Sequence, residues 1–139
     1  MTVAPEEAAE LIRLARRDIA TAQTLTRTDL DWAFAIAYNA LLQSSVAYMA
    51  SLGYRSRSRD KHFVTFRFMR EALPGESELT ARLQRLRKKR NSTVYEHAGL
   101  VGESEALEMI EFAGRYIEAI SDRLPPAIRE LLESGEPRG

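Results

Sequence analysis

The chain has 139 residues, 45% hydrophobic and 29% charged, a balance that suits one packed core and excludes a disordered chain. It has no cysteine and only two histidines, His62 and His97, which excludes a disulfide framework, thiolate chemistry and a histidine-rich metal site. Twenty basic and twenty acidic residues cancel, yet Arg55–Arg90 holds twelve Lys/Arg against four Asp/Glu, leaving eight and sixteen for the rest. A basic middle between acidic ends can attract phosphates. It can equally balance those ends within the fold or across a dimer, and charge alone favours neither.

The helical period of apolar residues recurs in nearly every segment, and strand alternation is absent. A first helix is expected from Pro5, a residue suited to the first helical position, to about Thr26. Leu11, Ala15, Asp18, Ala22 and Leu25 share one of its faces, with Asp18 the polar exception. Thr28-Asp29-Leu30-Asp31 reads as a capping box into a second helix that runs to about Leu52 and stops at Gly53. Residues 32–42 are apolar nearly all round, so this helix is expected to be buried between others, with Asn39 and Gln43 as polar exceptions. Trp32 and the phenylalanines lie at helical spacing and read as core rather than as base-stacking platforms.

Residues 54–60 form a basic loop, in which Arg55, Arg57 and Arg59 alternate with Ser. A short helix from about Lys61 to Leu73 follows, ended by Pro74-Gly75. Another helix runs from about Ser77 to at least Tyr95, and Gly99–Gly102 break the pattern. The last long helix spans roughly Ser104–Leu124 with Ile110, Ala113, Ile117 and Ile120 on one face. Pro125-Pro126 ends it, and Ala127–Glu133 can add a turn or two before a loose tail at 134–139. The expected architecture is all-α: an antiparallel bundle of four to five helices, one domain over residues 1–139. No apolar run approaches the ~20 residues that span a membrane. The N-terminus lacks the basic and apolar regions of a signal peptide, so the expected location is the cytoplasm. No phosphate-cradling glycine loop, nucleophile elbow, metal-ligand spacing or DNA-specific motif is present, so neither metal nor cofactor is expected.

Chemistry concentrates in Arg90-Asn91-Ser92-Thr93-Val94-Tyr95-Glu96-His97. The apolar stripe Leu79, Leu83, Leu86 continues at the same spacing to Arg90 and then His97. Seven residues at ~100° each make close to two turns, so both project from one face if the helix persists. An arginine and a histidine thus stand where leucines should be buried, and buried ionisable groups are costly unless paired or functional. Asp18 breaks its own stripe in the same way and is a candidate partner for Arg90. A guanidinium can hold a phosphate and stabilise charge developing on it. An imidazole, with a reference pKa of about 6.5, can take or give a proton near neutrality. RNA supplies its own nucleophile in the 2′-OH. The bland alternative is an arginine paired with Asp18 and a surface histidine near a helix end.

These residues resemble the HEPN superfamily of small helical domains, over about Ala9–Ser121. The likeness rests on Asp18, on the alanine- and tyrosine-rich second helix ending in Leu52-Gly53-Tyr54-Arg55, and on His62. It rests most of all on Leu83–Asn91 followed by Tyr95-Glu96. The family motif is an Arg, usually followed by a polar residue, then a His after four to six residues; Arg90-Asn91 and His97 fit its upper limit. The resemblance implies a HEPN-like bundle that dimerises, bringing two motifs together in a cleft. It also implies metal-independent endoribonuclease activity of the toxin or defence type. Arg90, His97, Asn91 and Asp18 would then be catalytic, and Arg87, Lys88 and Tyr95 would bind RNA. Many relatives are instead non-catalytic binding or scaffold domains. In the toxin group His lies five positions after the Arg and Tyr seven; here Tyr95 holds the first of these positions and His97 the second. The motif tyrosine of that group can be nucleotidylated by a partner antitoxin, which makes a nucleotidyltransferase an expected partner by analogy. A purely structural dimer, with basic middle meeting acidic ends in trans, is the third expectation.

Overall fold

The computed structural model describes residues 5–53, 102–134 and, between them, Ala81, Arg85 and Lys88. Four helices have described bounds: α1 (Pro5–Leu25), α2 (Leu30–Ser51), α3 (Glu103–Asp122) and α4 (Pro126–Ser134). Ala81, Arg85 and Lys88 are also helical, and no strand occurs among the described residues. The fold is the expected all-α bundle. The expected loop at 54–60, the helix from Lys61 to Leu73 and the break at Gly99 fall outside the described residues.

Local signals account for the helix ends. Pro5 and Pro126 occupy first helical positions, where a missing N–H is no loss. The second helix starts one residue later than a Thr28 cap would place it. Asp29 is the N-cap, extended at φ −153°, and its Oδ1 accepts the backbone N–H of Trp32 at 3.1 Å. A carboxylate there also favours the positive end of the helix dipole, which decides for Asp29 over Thr28. Instead, Thr28 Oγ1 turns back to the Leu25 carbonyl. At the other end Gly53 adopts φ 88°, a left-handed conformation that glycine takes without a Cβ penalty. Gly102 caps α3, and its N–H donates to Glu105 Oε1 at 3.0 Å. Ser134, expected in the tail, belongs to α4.

Four residues link α1 to α2, so the two helices must run antiparallel, and both pack against α3. Their contact faces are rich in alanine: Ala8, Ala15 and Ala22 on α1, and Ala33, Ala37, Ala40 and Ala47 on α2, are all fully buried. Larger side chains fill the space toward α3: Phe34, Tyr38 and Leu41 from α2, and Met109, Phe112, Tyr116, Ile117 and Ile120 from α3. The four residues expected on the α3 face, Ile110, Ala113, Ile117 and Ile120, are all buried. One buried polar link joins α2 to α3, between Ser45 Oγ and Tyr116 OH at 3.1 Å. Ser45 also donates to the Leu41 carbonyl, an obligate acceptor, so the phenol supplies the proton of the Ser45–Tyr116 bond. α4 closes the end of α1, where Arg13 donates to the Leu131 carbonyl at 2.8 Å and Ile128 joins the core.

Two expectations about α2 are corrected. The helix is not buried all round, and Trp32 is not core. Trp32 is 60% exposed and Val46 43%, with exposed Asn39 between them at the same spacing. Seven residues are nearly two turns, so these three form one outward line. The buried arc is centred on Ala37, Leu41 and Tyr48, close to half a turn from that line, which leaves the indole outside the packing.

Candidate functional site

Among the residues expected at the site, Asp18 and Lys88 are described. Arg87, Arg90, Asn91, Tyr95 and His97 lie outside the described residues, as do His62 and the basic loop. Lys88 is helical and exposed, together with Arg85 and Ala81. Positions 81, 85 and 88 are spaced by four and three residues, so they mark one exposed helical face with two basic side chains.

Asp18 sits in the second half of α1, its side chain only 15% exposed. Its Oδ2 accepts from Gln43 Nε2 of α2 at 3.0 Å, and its Oδ1 accepts from Arg17 at 3.2 Å. An ionised carboxylate is acceptor-only, so the amide must turn its nitrogen toward Asp18. That leaves Gln43 Oε1 buried, with no hydrogen-bond partner among the described residues. The two polar exceptions of the first two helices therefore meet. Each breaks an apolar face, and that signal was available in the sequence; the pairing itself depends on how the two helices lie against each other. A carboxylate and an amide oxygen held side by side make an acceptor pair suited to N–H donors.

A second feature went unread in the sequence. Between α1 and α3 runs a groove of about 730 Å³ whose floor is Ile19, Ile110, Gly114 and Ala119. A Cβ built on Gly114 would meet nothing within 4 Å, so the centre of the floor is open. Leu107, 48% exposed, stands at one end. Glu111, Glu118 and Asp122 line the rim against one guanidinium, Arg115. Glu118 is already engaged by Arg16 through two contacts of 3.0 Å. The rim is therefore acidic.

No group of three or more His, Cys, Asp or Glu side chains that could hold a metal occurs among the described residues. No described helix is long and apolar enough to cross a membrane.

The HEPN domain family matches residues 8–124, which span α1 to the end of α3 and include Arg90, Asn91 and His97. No curated protein and no solved structure matches the chain. A helical bundle with this order of elements, matched over most of its length, places the chain in a family: it belongs to the HEPN domain family.

Proposed function

We propose that this chain is a homodimeric, metal-independent endoribonuclease of the toxin or defence type, working in the cytoplasm. The observation that carries the reading is the family match, whose span takes in the Arg90-Asn91…His97 spacing. In this reading Arg90 binds the scissile phosphate and stabilises charge developing on it. His97 takes the proton of the attacking 2′-OH or gives one to the departing 5′-oxygen. Dimerisation would supply two such imidazoles in one cleft, one for each task. The 2′-oxygen forms a bond to phosphorus, the bond from phosphorus to the 5′-oxygen breaks, and a 2′,3′-cyclic phosphate is left. Asn91 hydrogen-bonds the phosphate, and Asp18 orients Arg90. Arg87 and Lys88 contact the RNA backbone, and Tyr95 stacks on a base.

The test is cleavage of RNA by the purified chain in chelator, with the product ends identified. Arg90→Ala and His97→Ala should each lower the rate by about 100-fold or more. Unchanged cleavage in both variants would remove this mechanism.

The order of Tyr95 before His97 favours a second reading: a non-catalytic HEPN module that docks a partner such as a nucleotidyltransferase, or holds a nucleotide or RNA. Retained RNA binding with no cleavage under any divalent-ion condition would select it.

A further inference from the structure

The two helices that wall the α1–α3 groove are both acidic. α3 holds six acidic side chains and one basic, and α1 holds four and three. Of the rim carboxylates, Glu118 is held by Arg16, whereas no described residue provides an ion pair for Glu111 or Asp122. These two are eleven residues apart on α3. Eleven residues make three turns plus about 20°, so both carboxylates lie on one side of the helix, about 16 Å apart. Between them the floor is apolar and open: a Cβ built on Gly114 would meet nothing within 4 Å. Leu107, one turn before Glu111, extends the apolar surface and is 48% exposed.

This charge and shape select among occupants. Negative walls repel phosphates, so the groove suits neither RNA nor an anionic membrane. It is open along its length, whereas sites for small ligands enclose most of the ligand. A channel of about 730 Å³ between two helices instead matches one face of a third helix. On such a helix, positions eleven apart also share one side. Two Lys or Arg at that spacing can therefore meet Glu111 and Asp122, while an apolar side chain between them enters the space over Gly114. The methylene stem of the cation near Glu111 can lie along Leu107.

We propose that the α1–α3 groove docks a basic amphipathic helix of a partner protein, with two cationic side chains three turns apart and an apolar anchor between them. The inference rests on neither functional reading above: the groove takes such a helix whether or not the chain cleaves RNA.

The probe is an end-blocked, fluorescein-labelled peptide of about fifteen alanine, leucine and lysine residues, all good helix formers, with leucines along one face and two lysines eleven positions apart beside it. Its binding to the full-length chain is followed by fluorescence anisotropy. Binding should be saturable and should weaken as salt is raised, because rim charge pairs are screened. Replacing both lysines of the peptide by glutamate should weaken binding by roughly 10-fold or more, and Glu111→Lys or Asp122→Lys in the protein should do the same to the original peptide. The glutamate peptide should bind Glu111→Lys better than it binds wild type. Gly114→Leu fills the floor without changing charge and should also weaken binding by roughly 10-fold or more. Leucine is a better helix former than glycine, so thermal unfolding of this variant should show no loss of stability. No saturable binding below about 1 mM peptide would overturn the inference, as would equal binding of the glutamate peptide or indifference to Gly114→Leu. Light scattering and RNA binding cover the other occupants. Self-association or RNA binding that is present in wild type and lost in Gly114→Leu would put a second copy or RNA in the groove and overturn it too. Cleavage of RNA should be the same in Gly114→Leu as in wild type, so the nuclease reading and this inference fail separately.

Discussion

α2 and α3 both bury a broad face against α1 and against each other, but they treat their other sides differently. Outward residues on α3 are mostly charged: Glu108, Glu111, Arg115, Glu118 and Asp122 are all exposed. Outward residues on α2 are Trp32, Asn39 and Val46, with Leu52 at its end. The period of charge along α3 therefore announces which side meets water, and its buried face could be read residue by residue. α2 carries almost no charge, so its period is faint and its outward line looks like core. An amphipathic helix fixes its own rotation in the bundle; an apolar one has its rotation fixed by neighbours.

The largest expected effect sharpens that contrast within α2. Phe34→Ala should cost about 3–5 kcal/mol, since it empties a fully buried site, whereas Trp32→Ala two residues away should stay within about 0.5 kcal/mol. Urea unfolding of both variants measures this. A Trp32 cost approaching that of Phe34 would show the indole covered in solution and break the distinction between the two sides of α2.

A smaller effect is expected where the two helices meet. Tyr116→Phe removes the hydroxyl that donates to Ser45 and should cost about 0.5–1.5 kcal/mol in the same unfolding experiment. No loss would mean that this contact does not help seat α3 on α2.

The smallest effect is on the outward side of α3. Glu118→Gln breaks the ion pair with Arg16, whose side chains are 39% and 58% exposed. Solvent screening should hold the cost below about 1 kcal/mol, shrinking further in ~0.5 M salt. A cost above that, insensitive to salt, would mean that the charged side of α3 contributes to the fold as strongly as a buried contact.

Much of the fold was legible because its signals are local. Pro5 and Gly53 mark helix ends through backbone chemistry that involves a few neighbouring residues, whereas the cap of α2 falls on Asp29, one residue after Thr28, and Pro126 opens α4 rather than only closing α3. The four apolar positions predicted on α3 are all buried for a similar reason: a strong period needs no partner to interpret it. Less of the candidate site could be read. Asp18 and Gln43 each stood out as polar residues on apolar faces, but their hydrogen bond depends on how α1 lies against α2, which neither helix encodes alone. The acid-rimmed groove escaped notice because Ile19 and Gly114 are ninety-five positions apart and become neighbours only through packing. Arg90 and His97 were singled out by spacing and by resemblance, and both fall outside the described residues.

The alanines between α1 and α2 have one further consequence. Alanine loses no rotamer freedom when buried, so ordering this seam costs less side-chain entropy than a seam of leucines would. The same economy removes its tolerance. A side chain of one or two methyl groups more at Ala15 or Ala37, both fully buried, would overpack the seam, at a cost of typically about 1–3 kcal/mol. Variation in this protein should therefore be scarce along that seam and freer on the outward line of α2, although both are built from apolar residues.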